Sequence, residues 1–160
     1  MPVNDIDNNN GDTSFDDREM FRLLKHILYL ANDLCLAYGT AIRRIDEDSV
    51  RETLMCMDKS HDRHRVELSD FISGLGYSAP DTGGIHGVVE RCRVVVAELR
   101  GDGAILKAMA QNEAELLMAY EEAEQQSGWP KKIAEFLTRA VLHERTHRQY
   151  FDDALQRACS

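Results

Sequence analysis

Two short segments of the 160-residue chain set a carboxylate and an imidazole three residues apart: Asp58-Lys-Ser-His61 and Glu144-Arg-Thr-His147. On a helix, i, i+3 spacing puts both groups on one side, a turn apart, where they can share a ligand. A third acid, Glu113, stands among Met109, Ala110, Leu116, Leu117 and Tyr120, in the middle of an apolar stripe. An acid or imidazole facing a core costs roughly several kcal/mol unless it is paired, hydrogen-bonded or bound to metal. The residues that interrupt the stripes are therefore the candidate chemistry, ligand-type groups turned inward: Asp58, His61, Glu113, Glu144 and His147, with His64 in the same inward row as His61. Two carboxylate-x-x-His helices, joined by bridging acids from two more, make the oxygen-rich, imidazole-tipped box that holds two iron or manganese ions.

A competing motif overlaps these residues. His143-Glu144-Arg145-Thr146-His147 spells H-E-x-x-H, in which two histidines bind zinc and the glutamate is the base of a protease. Its extended form needs glycine where Tyr150 stands, although Asp153 occupies the third-ligand place, and only 13 residues follow His147. Glu144 is central in the stripe and His143 marginal, the reverse of what a protease requires. Peptidase activity is not expected.

The elements that must position these groups read as long helices. Ser14 to Asp17 gives an S-x-x-D start, followed by a helix to about Arg44 with a stripe at Met20, Leu24, Ile27, Leu28, Ala31, Leu34, Cys35, Tyr38, Ala41 and Ile42. Ser49-Val-Arg-Glu52 reads as a capping box opening a second helix that stops at Gly74-Leu-Gly76. Tyr77–Gly87 is a loop, and Val88, Cys92, Val95, Val96 and Leu99 space a shorter crossing helix over 88–99. Gly101-Asp-Gly103 breaks the chain before a third long helix at about 103–126. A turn at Ser127-Gly-Trp-Pro130 then leads into a fourth helix, with Pro130 in its first position, running to about Arg157. The expected fold is all-α: an antiparallel four-helix bundle over 14–158, with a short crossover helix between helices 2 and 3 and a disordered acidic tail at 1–13.

Composition narrows the class. With 19 Lys+Arg against 28 Asp+Glu, the net charge is −9, a poor match for nucleic acid or an anionic membrane surface. No apolar run reaches the ~18–20 residues of a membrane span, and no signal peptide is evident. Cys35, Cys56, Cys92 and Cys159 have no close ligand spacing and read as reduced thiols of a cytoplasmic protein.

Taken together, the helices and their polar interruptions resemble the ferritin-like superfamily. More narrowly, residues 20–155 resemble an uncharacterised bacterial family of ferritin-like four-helix bundles, a domain of unknown function. The narrower likeness rests on Asn32-Asp33 with Tyr38, Leu75-Gly76 before the Gly83-Gly84 loop, Gly101-Asp-Gly-Ala-Ile-Leu106, and Glu113 with Ala114 and Tyr120. The resemblance implies Asp58, His61, Glu113, Glu144 and His147 as ligands, iron or manganese ahead of zinc as the metal, and a homodimer. It also implies a helix-1 ligand seven residues before Tyr38, as Glu113 precedes Tyr120, but that position is Ala31. Asp33 lies about 200° round the helix from Ala31 and is expected to face solvent.

Three functions remain open. One is a stress-associated bundle that works through self-association or a partner, its site decayed to a hydrogen-bonded network. A second is a metal-dependent oxidase or peroxide-handling protein. The third is a carrier or sensor of zinc or copper using His61, His64, His143 and His147.

Overall fold

The computed structural model describes residues 16–80 and 100–158. They form four helices: α1 (Asp17–Arg44), α2 (Asp48–Gly74), α3 (Asp102–Glu124) and α4 (Lys131–Ala158). No strand occurs among the described residues, and no helix there is long and apolar enough to cross a membrane. The expected tail at 1–13 and the crossing helix at 88–99 lie outside the described residues, as do His86, Cys92 and Cys159.

Helix α1 packs closely against α2 and α3, α3 packs against α4, and α2 and α4 touch only sparsely. The four therefore close a ring with α1 and α4 on one diagonal and α2 and α3 on the other. A three-residue turn reverses the chain between α1 and α2, and the segment holding Trp129 does so between α3 and α4. At the far end of α2, Tyr77 stacks on Phe21 near the start of α1, with ring centroids 4.1 Å apart. The first residue of α3 instead meets the α1–α2 turn: Asp102 accepts the amides of Asp46 and Glu47 at 2.9 and 3.0 Å. Helix α2 thus ends at one end of the bundle and α3 begins at the other.

Local chemistry sets the ends. Asp16 caps α1 by accepting the Glu19 amide at 2.8 Å, in place of the expected start at Ser14. The capping box expected at Ser49 does not form. Helix α2 begins a residue earlier, Glu47 makes no side-chain cap, and Ser49 Oγ donates to Glu47 Oε1 instead. Helix α2 ends in a Schellman turn, with Tyr77 N donating to Ile72 O and Gly76 N to Ser73 O, and Gly76 at a φ of 83° that favours glycine. Trp129 pins the last turn, its indole N–H donating to Ala123 O at 2.7 Å.

The core runs the length of the bundle through Leu24, Ile27, Leu54, Leu68, Leu116, Tyr120, Phe136 and Phe151, all buried. The expected stripes hold, with one correction on α1. Asp33 is buried at 6% exposure rather than facing solvent, beside buried Asn32. Four consecutive residues, Ala31 to Leu34, are buried there, so α1 is covered round most of its circumference. Burial pushes the Asp33 carboxyl up to about 6.

Candidate metal centre

Halfway along the bundle the apolar layers give way to a polar one. His61 enters it from α2, Glu113 from α3, and Glu144 and His147 from α4. His61, Glu113 and Glu144 have no exposure at all, and His147 is buried. Each offers one donor atom, and these four atoms lie within 4.8 Å of one another. The i, i+3 spacing on α4 does what helix geometry requires, setting Glu144 and His147 side by side.

Hydrogen bonds fix part of this layer and leave the rest open. Tyr38 of α1 donates its hydroxyl to Glu113 Oε1 and lies 3.4 Å from Met57 Sδ. The same Oε1 lies 3.0 Å from His61 Nε2, which donates to it. With Nε2 so used, a neutral His61 ring turns its Nδ1 lone pair toward Glu144 Oε1, 3.5 Å away. His64 Nδ1 also lies 3.5 Å from that oxygen. His147 Nδ1 is 3.6 Å from Glu113 Oε2 and 3.7 Å from Glu144 Oε2. These separations exceed hydrogen-bond length. Among the described residues, His61 Nδ1, His64 Nδ1, His147 Nδ1, Glu113 Oε2 and both Glu144 oxygens are buried without a hydrogen-bond partner.

So many unpartnered donor atoms in one place could hold a cation. Two ligand atoms at about 2.0–2.2 Å from a tetrahedral ion stand roughly 3.3–3.6 Å apart. The unbonded 3.5–3.7 Å gaps here are of that size. Two imidazoles and two carboxylates without thiolate suit a divalent first-row metal such as iron, manganese or zinc, and disfavour copper(I).

The electrostatics show a group that attracts positive charge, whether proton or metal. Burial opposes the charged form of His61, yet Glu113 and Glu144 outweigh it and raise the ring above its usual value. Burial likewise opposes His147, but the same two acids push it up to about 9. Burial would raise the Glu113 carboxyl; His61 and His147 together hold it well below the ordinary carboxylate range. Positive charge is favoured at the centre of the group. The Tyr38 phenol is pushed well up, by burial and then by Glu113, and stays a donor.

Not every expected residue arrives. Asp58 is half-buried and stays outside the group, its carboxyl raised by burial and then by Asp62. Being one methylene shorter than glutamate, it has less reach from its position one turn before His61. Ala31 is buried in α1 with no group to offer, and the Tyr120 hydroxyl is buried without a hydrogen-bond partner among the described residues. The protease geometry is absent, because His143 is exposed and Glu144 buried. His143 pairs instead with buried His64, with His64 Nε2 and His143 Nδ1 3.1 Å apart. The two rings are parallel within 3°, with centroids 5.3 Å apart. The sequence groups the two only as members of the zinc or copper set with His61 and His147; their direct pairing across α2 and α4 comes from the fold.

A family profile described as "Domain of unknown function (DUF2383)" matches residues 19–126, which include all but the first two residues of α1, all of α2 and α3, and His61 and Glu113. No curated protein matches the chain.

Proposed function

The chain belongs to the DUF2383 family, and we propose that it is a ferritin-like bundle whose core binds one divalent first-row metal ion through His61, Glu113, Glu144 and His147. The observation that carries this reading is the convergence of unpartnered, fully buried donor atoms from three helices on one spot. The helix order supports the ferritin-like assignment, since neighbours run antiparallel while α2 ends and α3 begins at opposite ends. One ion is favoured over two because α1 supplies no carboxylate at Ala31 and Asp58 stays outside.

Each side chain has a defined part. Tyr38 and His61 both hold Glu113 Oε1, which leaves Oε2 turned toward His147. The bond from His61 Nε2 fixes its tautomer, so that Nδ1 is the free donor. Among the described residues nothing donates to Glu144, which leaves both its oxygens free. A bound iron or manganese ion would supply one-electron chemistry at this dry position, and zinc would supply a Lewis acid.

A second reading has a specific observation behind it. The raised His61 and His147 and the lowered Glu113 describe two imidazolium ions balancing two carboxylates, a network closed by protons alone. Metal analysis of untagged protein separates the two. About one iron, manganese or zinc per chain, lost in Glu113→Ala and in Glu144→Ala, is the expected result. No stoichiometric metal, with Glu144→Leu neutral or stabilising, sinks the metal reading in favour of the proton network.

A further inference from the structure

The donor atoms of the candidate metal centre are buried, so an ion needs a way in. We propose that exposed His143 and buried His64 form that way, a two-step ladder that takes a hydrated divalent ion from solvent and hands it to Glu144. The inference rests on the metal-binding reading above and names the route by which that site is loaded.

Geometry carries the argument. His64 uses its two ring nitrogens in opposite directions: Nε2 faces His143 Nδ1 at 3.1 Å, and Nδ1 faces Glu144 Oε1 at 3.5 Å. A continuous series of donor atoms therefore leads from the exposed ring to the buried acid. The 3.5 Å gap to Glu144 is a span that one ion, bonded at about 2.0–2.2 Å to each neighbour, can bridge, and the 3.1 Å contact is a hydrogen bond that an arriving ion must displace to reach His64. An ion moving along it would exchange one donor for the next at every step and would not cross apolar core unligated.

The location is equally specific. The ladder lies in the seam between α2 and α4, the most sparsely packed pair of neighbouring helices among the described residues. Outside it the seam is held by the Arg139–Glu67 ion pair at 2.5 Å, whose side chains are nearly half exposed, so this clasp is weak. The α1 side, by contrast, is closed by fully buried Leu24, Ala31 and Tyr38. A net charge of −9 also raises the concentration of divalent cations near the surface.

The test is the kinetics of Co2+ uptake by the metal-stripped full chain, followed by visible absorption, and of its release to a chelator. A residue on the route but outside the final site changes both directions alike. His143→Ala is therefore expected to slow uptake and release by the same factor, about tenfold, or ~1.4 kcal/mol on the barrier. Stoichiometry and equilibrium affinity should not change. His26→Ala, an exposed histidine on α1, should leave the rates as they are. Uptake by His143→Ala at the parent rate overturns the route, and so does equal slowing in both variants. Weakened affinity in His143→Ala makes it a ligand of the final site and also overturns the route. A parent chain that takes up no stoichiometric Co2+ overturns the metal-binding reading, and the route with it.

Discussion

Helices α1 and α3 pack against each other and carry the same device, with different outcomes. Each has a fully buried tyrosine, Tyr38 or Tyr120, and each has a core-facing position seven residues earlier. On α3 that position is Glu113, and Tyr38 reaches across from α1 to bond it. On α1 it is Ala31, and Tyr120 finds no partner among the described residues. One acid, present in one half and missing from the other, decides whether the opposing phenol is anchored or orphaned. It also shifts the whole donor set toward α3 and α4, leaving α1 to support the site without binding in it.

The comparison is broken most severely at its one acid. Glu113→Ala should destabilise the fold by ~3–5 kcal/mol, because His61 loses its acceptor and His147 and Tyr38 lose the charge they face. Urea unfolding measures this, and a loss no larger than that of a surface substitution would show that the acid anchors nothing.

Next in size is a pH effect on metal-stripped protein. His147 titrates at about 9 in the fold, against an ordinary 6.5. A raised imidazole stabilises the folded state in full below pH 6.5, and that contribution is lost as pH rises through about 9. The melting temperature of stripped protein should fall over that window, and His147→Gln should flatten the profile. With metal present the trend should oppose this fall, since the ion competes with protons and binds more tightly at higher pH.

The smallest effects separate the two phenols. Tyr38→Phe removes a hydrogen bond to a charged acceptor and should cost ~1.5–3 kcal/mol. Tyr120→Phe removes an unsatisfied hydroxyl and should be neutral, or stabilising by ~1 kcal/mol. Equal losses in both variants would mean that the two halves are alike after all.

What the sequence made legible follows from the cost of burying charge. Glu113, Glu144, His61 and His147 stood out because acids and imidazoles inside apolar stripes demand a reason, and helical spacing said which way they faced. Asp33 was misjudged because a helix wheel has no knowledge of how many neighbours surround a helix; α1 is covered on nearly every side at that level. Ser49 was misjudged because α2 begins at Asp48, which leaves Ser49 inside the first turn with its hydroxyl on Glu47; the turn before it is held from far along the chain by Asp102, of which local pattern carries no trace. His143 looked marginal for the same reason: its partner, His64, stands on another helix.

Asp102 has a consequence for the centre several turns away. His61 stands on the α1–α2 hairpin, whereas Glu113, Glu144 and His147 stand on the α3–α4 hairpin. Sliding one hairpin past the other by a single residue, about 1.5 Å, would spoil the match between the imidazole and its acids. By gripping two successive amides with its two oxygens, Asp102 works as an index pin that sets the two halves in register.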